Sequence, residues 1–223
     1  MPRTADHEQR RRQIADAVSL LISEDGLDAV TVARTAAAAG MSVGLVQHYF
    51  RNKDEMLLHA FREISARIRG RVEARIREGV EHRRPIAQVM AEVMTEYIPL
   101  DRARRAEYRV ARAFAGRALD APALAEVDTE TARKLREDIA RAVHNGKECG
   151  EVDEHLDPLP AAVRLAAVME GLALQVYREP ESAAGTGVAQ FVAPLLDDEI
   201  AAVFTGECRQ YEGRAAHPRR RPQ

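Results

Sequence analysis

Several side chains between residues 42 and 53 could recognise DNA. The Gln47 amide can accept a hydrogen bond from adenine N6 and donate one to N7, a pattern that no other base pair offers in the major groove. Gly44 carries no Cβ, so the backbone there can approach a duplex closely. Lys53 stands at the start of a predicted helix, where anions are already favoured, which suits a phosphate contact. This stretch therefore predicts a surface that contacts nucleic acid.

Two short predicted helices would position these side chains. Thr31 can cap a helix over residues 32–39, and Gly40 ends it because only glycine enters the left-handed conformation cheaply. Ser42 then caps a second helix that begins at residue 43 and ends at residue 49 or 50. Two short helices joined by a tight turn that contains glycine are typical of a helix-turn-helix, whose second helix lies in the major groove.

The second short helix has two different faces. Val46 and Phe50 lie four residues apart, so they are expected to pack on the helices before and after it. Gly44, Gln47 and His48 lie on the opposite side, where they would face the groove. Leu45 lies between the two faces and could either contact a thymine methyl group or fill the core.

The run GMSVGLVQHYFRNKDEML, residues 40–57, resembles the TetR family of transcriptional regulators. That family typically shows a Ser-x-Gly-x-(apolar)-x-x-Tyr-Phe pattern with a lysine at the start of the next helix, and the matching residues are Ser42, Gly44, Val46, Tyr49, Phe50 and Lys53. The resemblance covers roughly the first third of the chain, as a three-helix DNA-binding head would. It implies a helical body that binds a small molecule and pairs with a second copy.

The predicted DNA contacts are Thr31, Ser42, Val43, Gly44, Gln47, His48, Tyr49 and Lys53. Tyr49 resembles the family's phosphate-contacting residue, but it could instead be half-buried against the following helix. Residues 10–12 are three arginines that either contact phosphates or form a solvated basic face. Many family members have an aromatic residue at the position of Gln47 and a lysine at that of Val43. Because of these departures, the resemblance does not predict the operator sequence.

Composition favours closely packed helices. The chain has 223 residues, 46% hydrophobic and only 4% aromatic, with no Trp. Because the formal net charge is −2, any affinity for nucleic acid must come from local placement of Lys and Arg. The two cysteines, Cys149 and Cys208, lack metal-type spacing and are expected to be reduced thiols. We expect no apolar run long enough to span a bilayer and no leader, which predicts a cytoplasmic protein.

Helical periodicity continues along the chain and predicts an all-α fold of about nine helices. A mobile arm (1–7) precedes a first helix over 8–24. A long fourth helix runs from Asn52 to about residue 78, and its arginines, 67, 69, 71, 75 and 77, would form a solvated face. Further helices are expected over 85–98, 101–119, 122–144, 157–177 and 186–204, with a polar loop over 147–156 and a kink or late start at Pro194. The expected units are a helix-turn-helix head (7–67), a ligand-binding and dimerisation domain (68–206) and a disordered tail (207–223).

The body is expected to hold an unidentified small-molecule effector and no cofactor or metal. The candidate pocket residues are Tyr97, Tyr108, Arg109, Arg112, Phe114, Met169, Glu170 and Tyr177. Glu170 interrupts an apolar helix, so its carboxylate must be paired, hydrated or directed at a ligand. Met and aromatic residues at helical spacing are more often core positions than pocket positions, and Glu170 could instead form a structural ion pair or an interface hydrogen bond.

Enzyme signatures are missing from the sequence, which contains no G-x-S-x-G, P-loop, G-x-G-x-x-G or Cys-x-x-Cys motif. A helical di-metal site needs Glu-x-x-His on two helices. The Glu/His pairs here are spaced by four, and we interpret them as surface residues: Glu55/His59, Glu78/His82 and Glu151/His155. The sequence therefore does not predict an enzyme.

The prediction is a ligand-responsive transcriptional regulator, a repressor that a small molecule releases from a palindromic operator. By resemblance, the last two helices of each subunit would form an antiparallel four-helix dimer interface, to which Leu172 and Leu196 could contribute. A rival interpretation is a helical ligand-binding or scaffold protein with a vestigial helix-turn-helix. It rests on the near-neutral head, where residues 1–53 hold seven Arg and Lys against six Asp and Glu.

Overall fold

The computed structural model describes residues 2–179 and 187–210, with side chains from Asp6 onward. Within those ranges there is no strand, and the predicted all-α fold is confirmed. The helices are α1 (Pro2–Asp25), α2 (Val32–Ala39), α3 (Val43–Tyr49), α4 (Lys53–Glu81), α5 (Ile86–Thr95), α6 (Arg102–Ala118), α7 (Pro122–Cys149), α8 (Pro158–Arg178) and α9 (Val192–Ala201). Short 3-10 turns, Leu27–Ala29 and Gly187–Phe191, precede α2 and α9.

The helix-turn-helix has the predicted boundaries because its caps are local. The Thr31 side chain accepts a hydrogen bond from the Arg34 amide, and the Ser42 hydroxyl accepts one from the Leu45 amide, each at 3.2 Å. Gly40 between them has φ 64°, a left-handed conformation that glycine adopts without strain. Asn52 caps α4 by accepting from the amide of Glu55 at 2.8 Å.

The first helix begins earlier than predicted. Residues 2–7 are helical and continuous with α1, whereas the sequence predicted a mobile arm. A neighbour explains the difference, because the His7 ring lies 4.8 Å from the Tyr49 ring at the end of α3. One turn later, the Arg11 guanidinium lies 4.7 Å from the centre of the Phe50 ring. The first turns of α1 therefore pack beside the recognition helix.

The seventh helix also ends later than predicted, at Cys149 instead of near residue 144. Gly150, with φ 93°, is the left-handed cap, and Gly146 is an ordinary helical residue. A Cβ at Gly146 would lie 2.6 Å from Val152 and 2.9 Å from Phe204, so glycine here permits close packing. The predicted polar loop is correspondingly shorter, and two of its residues, Glu151 and Val152, are buried.

Helix α8 is apolar enough by length and composition to cross a membrane, with 21 residues and a mean hydropathy of 1.4 over its apolar window. The expectation that no run is long enough was therefore wrong on that criterion. A core helix has the same composition, and 39% of that window is buried inside the structure. The buried residues are Ala162, Leu165, Ala166, Met169, Leu172, Ala173 and Val176.

The last helix starts late, as Pro194 predicted. A 3-10 turn occupies Gly187–Phe191, and Pro194 lies in the first turn of α9, where a missing amide hydrogen costs little. The helix ends at Ala201, earlier than predicted. Of the predicted disordered tail, residues 207–210 are described, and the Arg209 amide donates to the Cys149 carbonyl at 2.7 Å. Residues 180–186 and 211–223 lie outside the described part of the chain.

Among the described residues, two apolar clusters form the core, and α6 contributes side chains to both. The first joins α1–α4 to Val110, Phe114 and Ala118 of α6, where the rings of Phe61 and Phe114 stack 4.0 Å apart. The second is formed by residues of α5, α7, α8 and α9. Because α4 belongs to the first cluster while its Gly79 lies against Val89 of α5, the division at residues 67 and 68 stays a prediction.

Arg67 of α4 pairs with Asp16 of α1, and Arg71 and Arg75 are not simply solvated either, in contrast to the prediction. Arg71 and Arg75 contact the carboxylate of Glu96, which is only 3% exposed, at 3.0 and 3.1 Å. Arg104 of α6 contacts the same carboxylate at 3.1 Å. Arg71 also makes two hydrogen bonds, of 2.7 and 3.1 Å, to Glu107. Sequence periodicity could not reveal this cluster because Glu96 lies on a different element from all three arginines.

Candidate nucleic-acid interface

Helix α3 presents a polar face to solvent and an apolar face to the head. Val46 and Phe50 are buried in the first cluster together with residues of α1 and α4. Gly44, Gln47 and His48 are exposed, as are Ser42 and Val43 at the N-terminal tip of the helix. The predicted division of the two faces is therefore present. Such a helix can offer one amide, one imidazole and a stretch of bare backbone to base edges.

The two acidic side chains at the start of α4 bind other groups of the protein. Arg117 of α6 makes two hydrogen bonds of 2.9 Å to Asp54, and these bonds hold the pKa of the carboxyl below its ordinary value. The Glu55 carboxylate accepts the Arg51 amide at 2.9 Å. Lys53 itself is half-exposed beside the helix N-terminus. This arrangement leaves the helix terminus suited to a phosphate.

Tyr49 lies between two histidines. Its ring is 4.8 Å from that of His7 on α1 and 5.4 Å from that of His48. Tyr49 is half-buried, as the alternative from the sequence had it, but the ring packed against it comes from α1 and not from the following helix. Among the three predicted arginines of α1, Arg10 forms an exposed ion pair with Asp6, and Arg12 is exposed.

His59 is the residue of the head that sequence reasoning missed, because the Glu55/His59 pair was interpreted as a surface feature. Its side chain is only 12% exposed, and its ring centre lies 5.3 Å from that of Phe50. Nε2 is buried without a hydrogen-bond partner among the described residues, although a Glu63 oxygen lies 3.9 Å away. Burial, together with the charge of Arg11, lowers the pKa of His59.

Helix α6 connects the head to the body through a series of arginines. Arg117 binds Asp54 at the start of α4, and Arg109 donates to the Ser23 carbonyl near the end of α1 at 2.6 Å. At its other end, Arg105 donates to three carbonyls at the end of α8, at 2.8–3.1 Å: those of Val176, Tyr177 and Glu179. A cation is favoured at both helix C-termini. A shift of α6 would therefore change its contacts with α1, α4 and α8 together.

The structure does not bring the eight predicted pocket residues to one place. Phe114 lies in the first cluster and Arg109 binds α1, whereas Met169 and Tyr97 pack in the second cluster. Arg112 and Glu170 are exposed, so the Glu170 carboxylate is open to solvent. Tyr108 and Tyr177 do meet, with their rings 5.0 Å apart, and Arg112 and Glu170 are close enough to Tyr108 to affect its pKa.

The tyrosine pair has a mixed electrostatic environment. Burial raises the pKa of Tyr108; among its charged neighbours, Arg112 opposes that rise and Glu170 adds to it. The Arg105 guanidinium lies 5.2 Å from the centre of the Tyr177 ring. Elsewhere, an open groove of about 690 Å³ lies between α4 and α7, lined by Arg62 and by residues 125–127 and 129–131. None of the eight predicted residues lines it.

Comparisons with known proteins agree with this architecture. Residues 14–60 match the sequence model of the N-terminal domain of the bacterial regulatory proteins of the TetR family. Residues 85–201, more than half of the chain, match that of the C-terminal domain of BetI-type transcriptional repressors.

Individual transcriptional regulators resemble this chain over most of its length. The regulator PksA of Bacillus subtilis is 27% identical over 81% of this chain and 84% of its own length. A transcriptional regulator from Rhodococcus sp. Rha1 superposes with a TM-score of 0.72 at 29% identity, over 87% of this chain and 96% of that one. A regulator from Saccharomonospora viridis, crystallised in complex with choline, superposes with a TM-score of 0.69, covering 86% and 96% of the two chains. At 21% identity, it shows only a shared fold.

Proposed function

The chain belongs to the TetR family of bacterial transcriptional regulators, and we propose that it is a repressor that a small molecule releases from a palindromic operator. It acts in the cytoplasm, on operator DNA, and we propose no catalysed reaction for it. The observation that carries the proposal is the exposed N-terminal face of α3, held on a capped helix-turn-helix by buried Val46 and Phe50. The residues that we propose to contact DNA are Thr31, Ser42, Val43, Gly44, Gln47, His48, Tyr49 and Lys53.

A binding experiment on the DNA upstream of the protein's own gene tests this function. Fluorescence anisotropy with a labelled duplex should give saturable binding that persists over an excess of unrelated competitor DNA. The affinity should fall as salt rises, because phosphate contacts release counterions. Binding that the competitor abolishes, at every upstream fragment, would favour the rival function of a ligand-binding or scaffold protein.

We propose that α8 and α9 form the dimer interface. Four residues of α8 spaced by four are exposed and apolar or small, forming one stripe along the helix: Leu159, Val163, Ala167 and Gly171. Leu195 of α9 and Phe191 just before it are exposed as well. Arg164 of α8 and Glu199 of α9 form an ion pair of 2.6 Å that holds the two helices side by side. A contiguous apolar surface of this kind supports pairing with a second copy.

The proposed mechanism is a shift between two dimer arrangements. Two recognition helices reach successive major grooves when they are about 34–36 Å apart. A ligand that binds more tightly to a dimer with another spacing weakens operator binding by that difference in affinity. Helix α6 would carry the change, because Arg117 and Arg109 bind the head while Arg105 binds the end of α8.

We propose a cationic effector that binds near Tyr108 and Tyr177 on α6 and α8, with Glu170 supplying negative charge. An aromatic face beside a carboxylate suits a quaternary ammonium group. Since Arg105 already lies over Tyr177, the cation would meet Tyr108. The choline complex of the Saccharomonospora viridis regulator and the BetI-type C-terminal match make choline the first compound to test.

Choline should release labelled operator, whereas its uncharged carbon isostere 3,3-dimethylbutanol should not. Glu170→Gln should weaken the choline response, and the exposed control Glu130→Gln should leave it unchanged. If choline shifts neither the melting temperature nor operator binding, the effector class is wrong, and the proposed DNA binding is unaffected. A Glu170→Gln variant that is merely less stable would assign the carboxylate a structural role.

A further inference from the structure

Two cysteines and a glutamate lie close together where the end of α7 meets the segment after α9. One Cys149 sulfur, one Glu151 carboxylate oxygen and the Cys208 sulfur all lie within 4.8 Å of one another. Cys149 and Glu151 are buried, and Cys208 is partly exposed. In residues 2–179 and 187–210, this is the only such group of three possible metal ligands. Sequence spacing missed it because Cys208 follows α9 whereas Cys149 ends α7.

The backbone fixes the three residues side by side. The Arg209 amide donates to the Cys149 carbonyl at 2.7 Å, and the Gly206 amide donates to the Glu151 carbonyl at 2.9 Å. Gly150 between them is left-handed with φ 93°, and a Cβ on Gly206 would collide with its carbonyl oxygen. Main-chain contacts therefore hold the segment that carries Cys208 against the end of α7.

The Glu151 carboxylate is oriented before any ligand arrives. Its two oxygens accept the amides of Ile86 and Ala87 at 2.8 and 2.9 Å, at the first turn of α5. The Cys149 thiol donates to the same oxygen as the Ile86 amide, at 3.3 Å. That oxygen therefore faces the Cys149 sulfur. A metal ion bound by both residues would lie between these two atoms.

We propose that Cys149, Glu151 and Cys208 bind a thiophilic divalent cation of the zinc class. In a tetrahedral site, Zn–S distances are about 2.3 Å and Zn–O distances about 2.0–2.2 Å, so neighbouring ligand atoms lie roughly 3.5 Å apart. The 3.3 Å between the Cys149 sulfur and the Glu151 oxygen is close to that value, and the Cys208 sulfur lies within 4.8 Å of both atoms. Water would be the fourth ligand on the exposed side.

Binding exchanges protons for the metal. Each thiol releases its proton to solvent as its sulfur takes the Zn²⁺ ion, and the carboxylate contributes one oxygen without any change of protonation. The bound ion would join the end of α7, the start of α5 and the segment after α9. A disulfide between the same cysteines fits less well, because its sulfurs must approach to about 2.05 Å and the oriented carboxylate would take no part.

The test uses the full chain, purified in a non-thiol reductant and freed of metal. Zn²⁺ alone, titrated against a chromophoric chelator, should bind at one ion per chain. Co²⁺ should give the charge-transfer absorption of thiolate ligands and the visible bands of a tetrahedral site. Cys208→Ser, which alters a partly exposed position, should weaken Zn²⁺ binding by more than the ~10–100-fold typical of losing a partner outside the ligand set.

The matched control replaces histidines of two exposed His/Glu pairs, His144/Glu148 and His155/Glu154, which are alternative Zn²⁺ sites. The double variant His144→Ala/His155→Ala should bind Zn²⁺ as tightly as wild type. Equal affinity in Cys208→Ser and wild type, or Co²⁺ spectra without thiolate absorption, would overturn the assignment. So would reduced protein that takes up no Zn²⁺ and forms a Cys149–Cys208 disulfide in air.

Discussion

Gln47 lies one turn in from the Ser42 cap and is exposed on α3, with buried Val46 beside it. We expect Gln47→Ala to cost about 1–3 kcal/mol per half-site at one base position and to relax the preference there. Non-specific affinity should hardly change, since no charge is lost. Binding selections on randomised half-sites would measure this. A uniform loss across all sequences would show that Gln47 contacts a phosphate instead.

Lys53 provides a test of positioning without base reading. Lys53→Ala should weaken binding to all sequences alike and reduce the slope of log K against log salt by about one. Lys134→Ala, on the exposed surface of α7, is the control and should leave the slope unchanged. An unaltered slope in Lys53→Ala would remove this side chain from the phosphate contacts.

His59 should make the stability of the protein depend on pH. Its pKa is lowered in the folded protein, whereas an unfolded histidine titrates near ~6.5, so the unfolded state takes up the proton first. The stabilisation is therefore complete above the unfolded pKa and is lost as pH falls towards the folded one. Arg11 on α1 favours the neutral ring, while Glu63 on α4 and Glu8 on α1 oppose it.

Urea denaturation at several pH values would measure this dependence. His59→Gln should flatten the fall in the free energy of unfolding between about pH 7.5 and pH 5.5. His155→Gln, at an almost fully exposed histidine, should keep the wild-type profile. Parallel profiles for all three proteins would show that other groups control acid stability.

For single residues, the sequence predicted those roles that depend only on neighbours along the chain. Thr31, Ser42 and Asn52 cap their helices as expected because a cap is made within three residues. It did not predict the burial of His59 or Glu151, since their partners lie on other helices. For Glu170 the error is the reverse. The sequence singled it out because it interrupts an apolar helix, but it lies on the exposed side of α8.

Among the elements, α4, α6 and the end of α5 meet at a single buried carboxylate, Glu96. Glu96→Gln should lower the free energy of unfolding by about 2–4 kcal/mol, because it leaves three guanidinium groups without their shared charge while they keep some hydration. The exposed pair Arg133–Glu137 on α7 supplies the control, and Glu137→Gln should cost no more than about 0.5 kcal/mol. Denaturant titration of both variants decides the matter; equal costs would show that the cluster adds no net stability.

The sequence predicted where helices begin better than where they end. Asp101 and Asp157 mark the starts of α6 and α8. The predicted seventh helix ended near residue 144, just before Asn145 and Gly146, yet α7 continues to Cys149 because Gly146 fits against Val152 and Phe204. A glycine required for packing and one required for a turn look alike in a sequence, and only the folded neighbours distinguish them.

The whole molecule is expected to be a dimer, and the structure sharpens which residues test this. Leu172 and Leu196, suggested by the sequence, are buried within the chain, so substituting them would unfold it. Val163 and Leu195 are 47% and 44% exposed. Val163→Glu and Leu195→Glu should therefore weaken the dimer at least about tenfold by light scattering, with little change in melting temperature.

The control is Leu119→Glu, at a residue 87% exposed beyond the end of α6. This variant should remain dimeric. A wild-type protein that is monomeric at micromolar concentration would contradict the interface, as would Val163→Glu and Leu195→Glu variants that keep the wild-type mass. The sequence could predict wide apolar faces on the last two helices, but which side of each helix faces inward depends on how α7 and α5 pack against them.

The shared carboxylate of Glu96 also has an evolutionary consequence. One acid serves three arginines from two helices, so mutations at these four positions are not independent. Loss of Glu96 removes a shared partner from all three arginines at once, whereas loss of one arginine leaves two that still bind the acid. Among descendants of this gene, we expect the arginines to drift singly and Glu96 to change only after them.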